Sequence, residues 1–152
     1  MTAASPRSAK GVDTDDDAAL LERIQRDSFR LFREHGKGDD GLVADSSQAR
    51  SPCSIAAVGF ALSSYPVAVE HGWMTRGDAL ALTIAALRFF DSAGQSGTPS
   101  NIGHNGFFFH FLHMTTGERI WDSEVSAIDT ALLLAGMLFA ARYFSRADAA
   151  EN

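Results

Sequence analysis

The sequence is poor in residues that cross-link a chain or restrict its backbone, with one cysteine and four prolines among 152 residues. The single cysteine, Cys53, excludes an intramolecular disulfide, so cysteine usage does not reveal the redox compartment. No Cys–His context in the sequence supports a catalytic thiol. We therefore predict that Cys53 is buried as a small apolar residue.

Positive charge is also scarce. Lysine and arginine number 13 against 19 aspartate and glutamate residues, which gives a net charge of −6. Nucleic acid and anionic membranes do not attract an acidic protein, so neither is expected as the main partner. A neutral substrate such as a sugar is compatible with this charge, although the charge alone does not select one.

Long hydrophobic runs are missing as well. The longest uncharged stretches are residues 51–69, which contain Pro52 and Pro66, and residues 130–141, which fall short of the about 20 apolar residues of a membrane span. We predict two buried helices and no membrane span. Residues 1–17 contain no apolar stretch, so no secretory signal is visible and localisation stays open, with the cytoplasm as the default.

Apolar residues make up 45% of the chain, enough for a core. After a disordered tail at residues 1–17, helical spacing predicts a first helix that begins in an acidic cluster and ends at the glycines of residues 36–38. A second helix starts near Ser54 and is kinked or ended by Pro66. A third helix starts at Thr75 or Arg76.

Residues 106–121 break the helical pattern. Aromatic residues flank a short turn that contains glycine, which predicts a β-hairpin. In such a hairpin Phe107, Phe109 and Phe111 share one face, while Phe108 and His110 share the other. We expect the first three to pack on neighbouring elements.

A fourth helix is predicted from near Ser123 to about Phe144, with Asp122 or Ser123 as its N-cap. Residues 130–141 carry no charge, and a helix that is apolar on every side is enclosed by other elements. The remaining chain offers three helices and one hairpin. The pattern therefore predicts a piece of a larger layered all-α structure, truncated near residue 145 and followed by a polar tail at residues 146–152; a self-association surface is the alternative.

Three groups of sequence strings resemble one family. They are GLVADS at residues 41–46, SIAAVGFALSSYP at residues 54–66 with EHGW at residues 70–73, and GFFFHFL at residues 106–112 with SEVSAIDTALLLAG at residues 123–136. Together they resemble the glycoamylase-like domain, which includes bacterial endo-β-1,2-glucanases and the glucan-processing domain of cyclic β-1,2-glucan synthases. The resemblance covers residues 18–145.

This resemblance implies a fold and an activity. The family fold is an (α/α)6 barrel with a glucan cleft at one end, so the chain would supply an N-terminal part of about four helices plus the hairpin. The resemblance implies hydrolysis or glycosyl transfer at β-1,2-glucosidic bonds, without a metal or organic cofactor. Members of the family often act in the periplasm or outside the cell. The expected partner is a glucan or oligosaccharide, together with a complementing C-terminal chain or a second copy that covers exposed apolar surface.

Two carboxylates are the candidate catalytic groups, since glycoside hydrolysis normally needs a pair that flanks the scissile bond. Glu124 is expected in the first turn of the fourth helix, where the helix dipole favours the ionised form. Asp129 follows five residues later, about 140° around an ideal helix, so the two would not point the same way. Structural roles for both, and a second catalytic carboxylate beyond residue 152, are the alternatives.

Four residues are candidate sugar contacts: Asp45 in the loop of residues 39–54, and Phe108, His110 and Trp121 around the hairpin. Aromatic rings stack on the apolar faces of pyranoses, whereas an Asx-type loop cap is the alternative for Asp45. The histidines of this region do not converge on a strand, so no metal site is predicted.

The hairpin departs from the family pattern, which usually reads Gly-Phe-Phe-Tyr-His-Phe-Leu-Asp. Phe109 replaces the tyrosine and His113 the aspartate, and Ser46 stands where an arginine or lysine often follows the loop aspartate. If these positions touch substrate, the lost groups put activity in doubt. The sequence thus favours a β-glucan hydrolase-type domain, with a non-catalytic fragment or a helical sugar- or partner-binding module as the alternative.

Overall fold

The computed structural model describes residues 14–145, which form four helices and four two-residue strands. The helices are α1 (Thr14–Glu34), α2 (Ile55–Glu70), α3 (Arg76–Ser92) and α4 (Ala127–Phe144). The strands are β1 (Cys53–Ser54), β2 (Gly103–His104), β3 (Phe107–Phe108) and β4 (Phe111–Leu112). The described residues are mostly helical, as the sequence predicts.

The crossing of α2 and α4 forms the centre of the molecule. Gly59 of α2 and Gly136 of α4 meet there, and a Cβ on Gly59 would meet the backbone of Leu132. A Cβ on Gly136 would meet the backbone of Gly59 in the same way. Both glycines therefore serve close approach of two helix backbones, and the fully buried side chains of Leu62 and Leu133 belong to the core around them.

One helix boundary follows its sequence signal closely, whereas two others differ from expectation. Thr75 caps α3, because its hydroxyl accepts a hydrogen bond from the Asp78 N–H at 3.1 Å. Pro66 lies inside α2, which continues to Glu70 rather than ending at the proline.

Helix α1 begins at Thr14, so the last four residues of the predicted tail are helical. The rest of that tail, residues 1–13, and the predicted polar tail at residues 146–152 lie outside the described residues.

The prediction that the fourth helix starts near Ser123 is wrong. Helix α4 begins at Ala127, and Ser126 is its N-cap. The Ser123 hydroxyl instead donates to the Phe111 carbonyl at 3.1 Å, and the Ser126 N–H donates to the Phe108 carbonyl at 2.9 Å. Residues 123–126 therefore run as an extended segment beside the aromatic strands, because this pairing competes with the first helical turn.

The predicted hairpin at residues 106–121 has very little strand pairing between its two sides. Strand β4 pairs with β1, and a single bridge between Leu112 and Arg119 joins the two sides of the turn. The expected alternation of faces is wrong, since Phe107 is 47% exposed while Phe108 and Phe109 are both buried. Strands of two residues with single bridges between them are too short to sustain a period of two.

Residues 14–145 supply neighbours for one side of α4 only. Its buried positions are Thr130, Leu133, Gly136 and Ala140, whereas Leu138 on the opposite side is 73% exposed. Ile128, Leu134 and Phe139 are exposed on the same helix, and we call these four exposed residues the outer face of α4. Among residues 14–145, α4 alone has the length and hydropathy to cross a membrane, a composition that core helices share.

Candidate functional site

His110 lies between the two carboxylates that the sequence singles out. Its Nδ1 is 3.3 Å from Glu124 Oε1, and its Nε2 is 3.6 Å from Asp129 Oδ2. One imidazole ring therefore contacts both candidate catalytic groups through opposite nitrogens. The structure thus brings together three of the six predicted site residues.

The extended segment before α4 explains why Glu124 and Asp129 meet. Glu124 precedes the helix, so the angle of about 140° expected for an ideal helix does not apply to the pair. The His110 N–H donates to the Glu124 carbonyl at 3.0 Å, which fixes Glu124 beside the histidine. Asp129 sits in the first turn of α4, where its N–H donates to the Ser126 hydroxyl at 3.2 Å.

The three side chains differ in their access to water. The side chain of Glu124 is 72% exposed, whereas that of Asp129 is 13% exposed and that of His110 30%. The His110 ring is stacked on Phe111 with centroids 3.8 Å apart, which restricts the rotation of the imidazole. One carboxylate therefore faces solvent while the other is shielded behind a fixed ring.

Hydrogen bonds hold the Glu124 carboxylate in its ionised form. Its own backbone N–H is the largest cause of a lowered pKa, and the bond to His110 is the next. The direction agrees with the sequence-based expectation, but the cause is a local hydrogen bond rather than the dipole of α4. Glu124 is therefore suited to act as a base or an anionic contact at neutral pH.

Asp45 and Trp121 line one open pocket of about 470 Å³ beside this cluster. Phe111 and Arg50 contribute to the same walls. The Asp45 N–H donates to the Pro52 carbonyl at 2.8 Å, whereas its carboxylate accepts no hydrogen bond from residues 14–145. The loop-cap alternative for Asp45 therefore finds no bond within the described part of the chain, and the carboxylate is available to a ligand.

Trp121 is presented to solvent in an unusual backbone conformation. Its side chain is 68% exposed, and its ring lies 5.8 Å from that of Phe111. Both Trp121 and Asp122 have positive φ, at 56° and 50°. Left-handed backbone is unfavourable for a residue as large as tryptophan, so surrounding contacts must impose it.

Phe108 lies apart from this pocket, so the structure does not bring it together with the other predicted sugar contacts. Its side chain is 8% exposed and its ring packs edge-on against Phe90 with centroids 5.1 Å apart. Its N–H donates to the buried Thr130 hydroxyl at 3.0 Å. Phe108 is a core residue because the alternation that would place it beside His110 fails.

Sequence reasoning missed Arg119, which holds the backbone around Trp121. Its Nε donates to the Ser123 carbonyl and its Nη2 to the Asp122 carbonyl, both at 2.7 Å. Its guanidinium lies 4.4 Å from the centroid of the buried Phe109 ring. The sequence signal is weak, because an arginine beside a glutamate near a glycine turn is typical of a solvated surface.

Two departures from the family pattern fall on residues with structural roles. Phe109 is 3% exposed, and its ring packs against the Arg119 guanidinium. His113 Nδ1 accepts hydrogen bonds from the N–H groups of Thr115 at 3.2 Å and Thr116 at 3.3 Å. An aspartate carboxylate accepts such turn bonds elsewhere, so His113 takes over a turn-forming role.

The described residues contain neither a cluster of metal ligands nor an exposed thiol. No group of three or more histidine, cysteine or acidic residues within residues 14–145 is arranged to hold a metal ion. Cys53 is buried, as predicted, and burial raises the pKa of its thiol to about 12. A thiol with that pKa is protonated at neutral pH, so Cys53 is not a nucleophile.

Known proteins resemble this chain in sequence and in fold. An exo-β-1,2-glucooligosaccharide sophorohydrolase (non-reducing end) from Parabacteroides distasonis is 24% identical over 142 residues, which are 90% of this chain and 19% of that protein. A crystal structure of a β-1,2-glucanase from the same species superposes with a TM-score of 0.74 at 24% identity, over 87% of this chain and 19% of that one.

A glucoamylase-like protein from Bacteroides uniformis gives a TM-score of 0.72 at 23% identity, over 95% of this chain and 34% of that one. No family model matches the chain. The chain spans between about a fifth and a third of the length of these proteins. The resemblance that the sequence motifs predict is confirmed: the chain resembles glucoamylase-like and β-1,2-glucan-degrading proteins, and it shares the fold of the segment that it covers.

Proposed function

We propose that this chain carries part of a glycoside hydrolase-type site for β-1,2-linked glucan. The observation that carries the proposal is the placement of Glu124 and Asp129 on opposite nitrogens of His110. Glycoside hydrolysis normally needs two carboxyl groups at one place, and this cluster supplies two. The relatives named above give the substrate class, since two of them act on β-1,2-glucans or their oligosaccharides.

The environments of the two carboxylates assign their roles in this proposal. Glu124 is exposed and its pKa is lowered, so it is the ionised partner that activates water or stabilises positive charge on the sugar ring. Asp129 is the second carboxyl of the pair, and because Glu124 takes the ionised role, Asp129 is assigned the transfer of a proton to the leaving oxygen. His110 keeps the two groups apart and in register.

The pocket beside the cluster is the proposed sugar subsite. Trp121 offers an exposed ring for the apolar face of a glucosyl unit, while Asp45 offers a carboxylate that has no hydrogen bond among the described residues. Hydroxyl groups of a sugar supply the donors that such a carboxylate lacks. Phe111 lines this pocket and also stacks on His110, so the pocket adjoins the carboxylate pair.

We further propose that residues 18–145 correspond to the N-terminal part of an (α/α)6 barrel. The outer face of α4 is apolar and exposed, which is the surface that further helices of a barrel would cover. The proposed partner for this face is a complementing C-terminal chain, and self-association through the same face is the alternative. A non-catalytic fragment that only binds sugar is the second candidate function, because much of the length of the relatives lies outside this chain.

The direct test is the release of new reducing ends from β-1,2-glucan, by the chain alone and mixed with the helices that follow the matching segment in the Parabacteroides relative. Glu124→Gln and Asp129→Asn should each lower the rate by at least about 100-fold, the size of a lost acid–base group. Glu118→Gln is the matched control, since that exposed carboxylate contacts none of the three site residues. Unchanged rates in the two site variants would contradict the proposed roles. Binding without release by any mixture would favour the non-catalytic alternative.

A further inference from the structure

The turn that carries Trp121 has a backbone suited to other residues. The Ser123 N–H donates to the Ile120 carbonyl at 3.0 Å, which closes a four-residue turn with Trp121 and Asp122 at its centre. Both central residues have positive φ. This mirror-image turn favours Asn-Gly or Gly-Gly, because only small or flexible residues adopt positive φ without strain.

Arg119 supplies the contacts that enforce this turn. Its two hydrogen bonds reach the carbonyls of Asp122 and Ser123, and a charged donor makes such bonds stronger than neutral ones. The guanidinium is itself held over the Phe109 ring, which belongs to the core. The Ser123 hydroxyl anchors the far end of the turn by donating to the Phe111 carbonyl.

The result of this strain is the exposure of a large apolar ring. Trp121 is 68% exposed above the pocket that Asp45 also lines. Because the Trp121 ring is mostly exposed, its burial contributes little to the stability of the fold. Folding stability therefore does not explain why the turn keeps a strained backbone. Strained backbone that a core framework imposes is typical of ligand-binding positions.

We propose that Arg119 is a positioning residue that locks the Trp121 ring as a stacking platform for one glucosyl unit in the Asp45 pocket. Arg119 acts through the turn: its Nε and Nη2 donate to turn carbonyls, and its Nη1 lies 3.9 Å from the Asp122 carboxylate. The identity of the sugar rests on the function proposed above. The locking of the turn rests on contacts within the protein and not on the sugar, so the two parts can fail separately.

The test uses Trp121 as its own reporter. The chain has two tryptophans, so Trp73→Phe leaves Trp121 as the single fluorophore. In that background we expect Arg119→Met to lower the steady-state fluorescence anisotropy of Trp121. We also expect it to raise, at least ten-fold, the concentration of a β-1,2-linked glucose disaccharide that gives half-maximal quenching of the Trp121 fluorescence. Arg88→Met, on the exposed surface of α3, is the control and should change neither value.

A rescue variant separates positioning from general stability. Asp122→Gly places a residue that adopts positive φ freely, so adding it to Arg119→Met should restore most of the binding and the anisotropy. All measurements are made at a temperature where each variant is fully folded by circular dichroism. An unchanged midpoint in Arg119→Met, or no recovery with Asp122→Gly, would overturn the proposal.

A parent protein that no β-1,2-linked disaccharide quenches would contradict the proposed substrate instead. In that case the anisotropy decides the role of Arg119 by itself. A Trp121 ring that is equally immobile with and without the arginine would refute the locking, whereas a ring released by Arg119→Met would support it.

Discussion

At the scale of single residues, the proposed site is centred on one histidine with two acidic neighbours. The stacking of His110 on Phe111 fixes the plane of the imidazole, and the plane determines where Glu124 and Asp129 can lie. The histidine replaces a direct contact between two carboxylates, which would be repulsive when both are ionised. Removing it should therefore change the chemistry of its neighbours more than the fold.

The lowered pKa of Glu124 gives a residue-scale prediction. In the folded chain this carboxyl should titrate below its usual value of 4.5. His110→Asn should raise the pKa without restoring that value, because the bond from the backbone N–H of Glu124 is the larger cause and stays. Carbon-13 NMR of the side-chain carboxyl groups measures both values, and a pKa that does not move in His110→Asn would contradict the role of the histidine.

Cys53 gives a second residue-scale prediction, on stability at high pH. Burial raises the pKa of the thiol from 9.0 to about 12, so the folded chain keeps a proton that the unfolded chain loses in that range. This contribution is complete below pH 9 and is lost as the pH rises through 12. The free energy of unfolding of Cys53→Ala, measured with urea, should fall less steeply between pH 9 and 12 than that of the parent. Equal slopes would contradict the buried thiol.

Tyr65 contributes in the same direction and remains in the Cys53→Ala variant. Its pKa is raised from 10.0 to about 12, chiefly by burial. The Cys53→Ala protein should therefore still lose stability at high pH, but from a higher starting pH. The pH at which each protein begins to lose stability therefore distinguishes the effect of the Cys53 thiol from that of the Tyr65 phenol.

At the scale of elements, the helices follow from local sequence and the aromatic segment does not. The start of α3 could be predicted because Thr75 is a capping residue followed by a helical pattern. The start of α4 could not, since Ser123 and Ser126 are both plausible caps and long-range pairing with Phe108 and Phe111 decides between them. Residues that act through such pairing, such as Arg119, carry no local signal.

The crossing of α2 and α4 gives an element-scale prediction. Gly59→Ala and Gly136→Ala each place a methyl group against backbone, so each should lower the free energy of unfolding by about 1–3 kcal/mol or more. Gly77→Ala is the matched control: a Cβ there would meet only the Thr75 hydroxyl, at 3.9 Å, and alanine should raise stability by up to about 1 kcal/mol. Thermal unfolding of the three variants measures the contrast, and three similar values would contradict the close crossing.

At the scale of the whole molecule, the described residues leave the outer face of α4 uncovered. The outer face includes Ile128 and Leu138, which are 69% and 73% exposed. The motif strings that predict the resemblance include α4, so the sequence could indicate the relatives. It could not indicate which side of α4 is covered, because a helix that is apolar all round carries no directional signal.

The outer face gives a prediction about association. If the alternative of self-association holds, the double variant Ile128→Gln with Leu138→Gln should reduce it, while changing the free energy of unfolding by less than about 0.5 kcal/mol per site. Leu133→Ala, on the buried side of the same helix, should instead cost about 2–5 kcal/mol. Sedimentation velocity across a concentration series measures association. A monomeric parent whose behaviour the double variant does not alter would show that this face attracts no second copy.

The central claim is that this chain carries a site for β-1,2-linked glucose, formed by Trp121, Asp45 and the His110 cluster. The most direct measurement is calorimetric titration of a β-1,2-linked gluco-oligosaccharide into the full chain, compared with a β-1,3-linked one of the same length. We predict saturable binding of the β-1,2-linked sugar alone, weakened at least about ten-fold by Trp121→Ala, a loss of about 1.4 kcal/mol. Equal affinity for both linkages, or binding that Trp121→Ala leaves intact, would contradict the claim.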